Sequence, residues 1–163
     1  MEKPRSEPCR PVTPSAPDGG ASISPAELLS RLDGAHSELL AICDRLEGIA
    51  DSLPNTLNVR NCREAAGELV PVVMRAHRVE EEEVFLRIAG EARTAALQKT
   101  LDHLRTEHCE DECFAEELAD ALKQAGEGKV QPETLGYMLR GFFEAMRRHI
   151  NFERERFLTL AGG

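Results

Sequence analysis

Apolar residues recur every three or four positions along four stretches of the chain, a spacing typical of helices with one buried face. The stretches cover residues 29–53, 59–88, 97–122 and 135–160. Turn-forming residues separate them, at Pro54-Asn55, around Gly90 and at Gly126-Glu127-Gly128. Alternation typical of strands is almost absent. The pattern therefore predicts an all-α fold, an up-down-up-down antiparallel four-helix bundle with short loops.

Residues 1–22 differ from the rest of the chain in composition. They hold most of its nine prolines, mixed with serine, glycine and both signs of charge, and they offer no periodic apolar face. Such a segment buries too little apolar surface to fold, so we predict a disordered tail over residues 1–22. Ser24, Pro25 and Glu27 form a helix-start signature, which places the beginning of a bundle domain spanning residues 23–161.

The net charge of -9 disfavours nucleic acid and anionic membranes as partners, because both would repel the chain. No apolar run approaches the roughly 20 residues of a membrane span, and the amino terminus lacks the apolar core of a secretory signal. Five cysteines without a Cys-x-x-Cys spacing fit reduced thiols better than disulfides. These features predict a cytoplasmic protein.

Four histidines occupy inward positions, one on each predicted helix: His36, His77, His108 and His149. Their successive midpoints, at about 56.5, 92.5 and 128.5, fall in or close to the three predicted turns. Residues equidistant from a turn lie at one level of an antiparallel pair, because both helices rise by about 1.5 Å per residue. The sequence therefore predicts that all four imidazoles share one layer.

Two glutamates join this layer in the prediction, since Glu81 and Glu153 each follow a histidine by four residues. Residues four apart lie on one helical face. A phenylalanine follows each glutamate by four more residues, at Phe85 and Phe157. His36, His77, Glu81 and Phe85 become His108, His149, Glu153 and Phe157 when 72 is added to each number, which indicates a duplicated two-helix unit.

Four imidazoles and two carboxylates buried without partners would cost several kcal/mol in lost hydration. Two metal ions remove this cost, each taking two neutral imidazoles, with the two carboxylates bridging between the ions. Imidazole and carboxylate suit iron, with manganese or zinc as substitutes. Positions left open at the ions would accept water, an oxo or hydroxo bridge, or a small gas.

The set His36, His77-x-x-x-Glu81, His108 and His149-x-x-x-Glu153 resembles the hemerythrin-like, or HHE cation-binding, family over about residues 25–160. The resemblance implies a non-heme di-iron centre. In such proteins that centre binds dioxygen, senses oxygen, nitric oxide or cellular iron, or acts against peroxide and nitrosative stress. The ligand set does not distinguish binding from turnover of peroxide or nitric oxide.

One position departs from the oxygen-carrying members that the chain resembles. These have a fifth histidine four residues before the third-helix histidine, where this chain has Leu104. His103 is five residues before His108, a rotation of about 140° that points it away from the layer. Reversible oxygen carriage is therefore not the favoured activity. Glu112, four residues after His108, is either an additional ligand or a carboxylate that supports a ligand.

Two other interpretations remain open from the sequence. One is a regulatory module whose metal state controls docking to a protein partner. The other is a bundle without metal, in which four histidines would share a layer by accident. Ferritin-like oxidase chemistry needs a Glu-x-x-His spacing, which only Asp33-x-x-His36 approximates.

Overall fold

A computed structural model describes residues 23–91 and 94–161, and helices are the only regular secondary structure in these ranges. The predicted tail over residues 1–22 lies outside the described residues. The helices are α1 (Pro25–Ser52), α2 (Val59–Val79), π1 (Glu80–Phe85), α3 (Leu86–Glu91), α4 (Ala95–Gly126) and α5 (Pro132–Ala161). Because α2, π1 and α3 follow one another without a break, the described residues form four rods. The predicted all-α four-helix bundle is confirmed.

Polar side chains fix where three of the rods begin. The Ser24 hydroxyl accepts from the backbone N–H of Glu27, whose carboxylate accepts from the backbone N–H of Ser24, so the predicted capping box is present. Asn58 and Thr94 cap α2 and α4 in the same way, each accepting from a backbone N–H three residues later. These caps satisfy amide groups that a helix leaves without internal partners.

Paired residues show that neighbouring rods run in opposite directions. Between α1 and the second rod, ion pairs join Arg45 to Glu68, Arg75 to Glu38 and Arg31 to Glu83, so residue numbers rise on one rod as they fall on the other. Two contacts for each other neighbouring pair give the same order. They are Arg147–Asp44 and Arg140–Asp51, Phe114–Phe142 and Glu107–His149, and Arg105–Phe85 and Glu112–His77. The predicted up-down-up-down topology is confirmed.

The buried apolar residues form two clusters on either side of the histidine level. The larger cluster fills the end near the 53–58 and 127–131 connections and includes Leu46, Leu122 and Met146. The smaller cluster comprises Leu32, Val84, Phe85, Leu101, Leu104 and Phe157. The polar layer therefore divides the apolar core in two. The packing of both ends of the bundle depends on how the charged groups of this layer are satisfied.

The outward faces of the rods carry many charged side chains that form ion pairs between rods. Arg45, for example, bonds to Asn61, Glu64 and Glu68 across the α1–α2 surface. Exposed ion pairs of this kind stabilise a fold by about 0–1 kcal/mol each, so the buried clusters determine its stability. Across residues 23–91 and 94–161, no helix combines the length and apolar character needed to cross a membrane.

Candidate metal centre

The four predicted histidines come together inside the bundle, one from each rod. His36, His77, His108 and His149 are all buried. The rings of His77 and His108 stack with centroids 3.9 Å apart, and the His149 ring lies 5.1 Å from that of His108. The predicted common level of the four histidines agrees with this arrangement.

Glu153 lies at the centre of the layer and is fully buried. Its Oε2 is 3.0 Å from Nε2 of His36. Its Oε1 faces the other way, 3.3 Å from Nε2 of His149 and 3.5 Å from Nε2 of His108. The two oxygens of the Glu153 carboxylate thus point to different histidines within the layer, Oε2 to His36 and Oε1 to His149 and His108.

Glu81 does not take the inward position that its four-residue spacing from His77 predicts. Its side chain is 36% exposed, and its Oε1 accepts a hydrogen bond from Nδ1 of His108 at 2.7 Å. Glu80 lies in the layer instead and is 0% exposed. The helix becomes a π-helix at Glu80, where a turn takes more than 3.6 residues, so Glu80 shares its inward face with Phe85, five residues later. The predicted orientation of Glu81 is therefore wrong.

Carboxylates also approach the outer nitrogens of the histidine rings. Glu112 accepts a hydrogen bond from Nδ1 of His77 at 3.0 Å. Nδ1 of His149 lies 3.5 Å from Oε2 of Glu107 and 3.8 Å from Oδ2 of Asp111. An acceptor at Nδ1 fixes the orientation of the ring and the tautomer that leaves Nε2 free for a metal.

Sequence reasoning placed Glu80 only at the edge of the inward face, as an alternative to Glu81 together with Glu82, and it missed Glu107 and Asp111. Glu80, Glu107 and Asp111 all belong to acidic runs that flank a layer histidine, and such runs usually face water. A signal was present in their levels. Glu107 is adjacent to His108, whose level matches that of His149, so a side chain from Glu107 can reach the neighbouring ring.

Several buried polar atoms in this layer have no hydrogen-bond partner among the described residues. They are His36 Nδ1, His77 Nε2, His108 Nε2, His149 Nε2, both carboxylate oxygens of Glu80, Oε1 of Glu153 and Oδ2 of Asp111. Some lie within 3.5 Å of an opposite charge, but not along a hydrogen-bond direction. Orphaned groups of this kind are rare and costly in a folded protein, and their concentration at one level is what a layer able to hold a cation would show.

The electrostatics of the layer favour positive charge. Burial lowers the pKa of His36, but the hydrogen bond to Glu153 and the nearby carboxylate charge of Glu80 outweigh it and raise the pKa to about 9. The pKa of His108 rises well above its usual value for the same reason. Burial alone would raise the pKa of Glu153, and three imidazoles instead hold it far below its usual range. The carboxylates thus attract positive charge strongly enough to overcome the cost of burying it.

The donor set fits a metal ion. Ligand atoms of Glu80, His108, His149 and Glu153 lie within 4.8 Å of one another, and all four residues are buried. Imidazole nitrogen and carboxylate oxygen are donors that iron, manganese and zinc accept. A cation would give the orphaned nitrogens and oxygens of this layer the partners that the protein does not supply.

The position of the fifth histidine of oxygen carriers is apolar here. Leu104 is fully buried in the smaller cluster, next to the layer. His103 is exposed and faces Glu107, which confirms that it points away from the layer. Leu104 supplies no donor atom, so α4 contributes a single layer histidine, His108.

A family model described as the hemerythrin HHE cation binding domain matches residues 27–161. The match covers all four rods and every residue of the layer. No curated protein and no solved structure matches the chain significantly.

Proposed function

The chain belongs to the hemerythrin HHE cation-binding family, and on this premise we propose that it holds two iron ions in the layer and reacts with dioxygen, nitric oxide or peroxide. One observation carries the proposal. Four buried imidazoles and two buried carboxylates, contributed by all four rods, meet in one layer, and a nitrogen of each ring and at least one oxygen of each carboxylate have no hydrogen-bond partner among the described residues. When bound, a pair of irons supplies one- or two-electron exchange with a small oxidant.

Glu153 supports a site for two ions rather than one. Within the layer, one of its oxygens points toward His36 and the other toward His108 and His149. A carboxylate in this position can bridge two cations and balance part of their charge. His77, whose Nδ1 is held by Glu112, has its buried Nε2 available for ligation on the other edge of its ring.

The surroundings of the layer favour a ligand of a few atoms. Apolar clusters close it above and below, and the histidines themselves are shielded from solvent. The partly exposed carboxylates of Glu107, Asp111 and Glu112 lie along one side, where α4 faces its neighbours. An enclosed site of this kind suits ligands as small as dioxygen, nitric oxide or peroxide.

Metal analysis combined with absorption spectroscopy tests this function. The full chain is loaded anaerobically with Fe(II), desalted and assayed for iron, and its spectrum is recorded before and after separate additions of dioxygen, nitric oxide and peroxide. We expect about two irons per chain and new absorption bands with at least one oxidant. Less than about half an iron per chain would exclude a di-iron protein. Full iron with no spectral response would exclude the reaction with small oxidants.

Glu112 is expected to act on metal binding through His77. Glu112→Ala removes the acceptor at Nδ1 of His77 and should weaken iron affinity by about 10- to 100-fold without changing the number of ions bound at saturation. Competition with a chelator of known affinity measures the change. Glu116→Ala, one turn further along α4 and exposed, serves as the matched control. Equal affinities for the two variants would show that Glu112 does not support the site.

A further inference from the structure

We propose that Glu80, and not Glu81, is the second carboxylate that would bridge the two ions. Glu81 instead positions His108 through the Nδ1 atom of its ring. This inference rests on the proposed function and specifies one ligand of the same site. It departs from the four-residue spacing between His149 and Glu153, and from the spacing that the family resemblance implies for the second rod.

Glu80 has the orientation that a bridging ligand requires. Its Oε1 lies 3.3 Å from Nε2 of His36, and its Oε2 lies 3.0 Å from Nε2 of His108. Glu153 divides its two oxygens between the same two histidines. Each of the two carboxylates therefore directs one oxygen toward His36 and the other toward His108. Two cations held between these histidines would need bridging ligands in this arrangement.

Burial distinguishes Glu80 from its neighbours in the acidic run. Its side chain is 0% exposed, and neither oxygen has a hydrogen-bond partner among the described residues. An ionised carboxylate buried in this state is costly unless charge and ligands surround it. Two cations would satisfy both oxygens of Glu80 at once. Glu82, two residues later, is exposed and has no such requirement.

The π-helical segment explains why the second rod uses a different spacing. In α5, four residues separate His149 from Glu153 and four more separate Glu153 from Phe157. In the second rod, three residues separate His77 from Glu80, and the wider turns of π1 take five to reach Phe85. Both phenylalanines are buried in the smaller cluster, with ring centroids 6.0 Å apart. π1 thus keeps histidine and phenylalanine in register while the inward carboxylate moves by one residue.

Glu81 is engaged on the other edge of the His108 ring. Its Oε1 holds Nδ1 at 2.7 Å, whereas the ring presents Nε2 to Glu80 and Glu153. A carboxylate that accepts from Nδ1 cannot also contact an ion bound at Nε2, because the two nitrogens face away from each other. Glu81 therefore orients His108, as Glu112 orients His77.

Three isosteric substitutions in the acidic run test the assignment: Glu80→Gln, Glu81→Gln and Glu82→Gln. Each full-length variant is loaded with Fe(II) beside the unaltered protein, and iron per chain and iron affinity are measured. A glutamine at position 80 has only one oxygen and cannot bridge, so iron should fall to less than about half an ion per chain. A glutamine at position 81 still accepts from Nδ1 of His108, so its affinity should stay within about threefold, while Glu81→Ala should weaken it by about 10- to 100-fold. Glu82→Gln should bind as the unaltered protein does.

The outcomes separate this inference from the proposed function. If the unaltered chain holds less than about half an iron, the di-iron proposal itself fails. If the unaltered chain holds its irons, loss of iron in Glu81→Gln with retention in Glu80→Gln overturns the assignment of Glu80. Circular dichroism of iron-free Glu80→Gln shows whether it folds. If it does not, Glu80→Asp, which keeps the charge but shortens the reach, should also lose iron, and full retention would overturn the assignment.

Discussion

Glu153→Gln is expected to reduce the iron content of the purified protein from about two ions per chain to less than about half an ion. Glu153 lies within 3.5 Å of Nε2 atoms on three histidines, from α1, α4 and its own helix α5. Glutamine has nearly the same shape, so the bundle should still fold. Its amide nitrogen cannot act as a ligand, however, and would direct N–H groups at one of the two ions.

The matched control for this variant is Glu144→Gln, an exposed position on the same helix. It changes the net charge by the same amount and should leave the iron content unaltered. Metal analysis of both variants, together with circular dichroism in the absence of iron, separates loss of ligation from loss of structure. A folded Glu153→Gln that still holds about two irons would remove Glu153 from the ligand set.

The fold and the level of the site could be predicted from the sequence because both depend on simple periodicities. Turn residues mark the rod ends, and two residues equidistant from a turn meet at one level. Those rules place His36, His77, His108 and His149 together without any knowledge of side-chain contacts. They also identify Leu104 and His103 as residues that supply no ligand, one because of its chemistry and one because of its rotation.

The choice between Glu80 and Glu81 could not be predicted in the same way. Spacings of three and four residues lie about 60° and 40° to either side of His77 in an α-helix, so both fit an inward stripe. The π-helical segment Glu80–Phe85 turns Glu80 inward instead of Glu81. This segment forms within the packed bundle, where Val84 and Phe85 join the smaller cluster. Local sequence does not reveal that packing.

The carboxylates that approach the Nδ1 atoms of the layer histidines could not be identified from the sequence either. Glu107 and Asp111 contact a ring on α5, and Glu112 contacts one on α2, so their partners come from other rods. Along α4 these residues look like an ordinary acidic run. Only the levels of neighbouring rods distinguish an acidic residue that holds Nδ1 of a histidine from one that faces water.

Removal of iron is expected to lower the free energy of unfolding by about 4 kcal/mol, the stabilisation given by a ligand at about a thousand times its dissociation constant. For a chain of this size the midpoint of thermal unfolding should fall by roughly 8–16 °C. The physical reason lies in the orphaned atoms of the layer, to which bound iron would give partners. Thermal unfolding before and after chelation measures the change, and Glu153→Gln, which should bind little iron, is the control that chelation should hardly affect.

The loss of stability should not be uniform along the rods. The smaller cluster is separated from the larger one by the metal layer, and it holds the ends of the rods around Leu32, Phe85, Leu101 and Phe157. Without iron, little besides this cluster connects those ends, so they should open more readily than the larger core. Hydrogen exchange should therefore rise in π1, α3 and the first turns of α4 more than around Leu46 and Leu122. An equal rise in both regions would show that the layer does not hold the two clusters together.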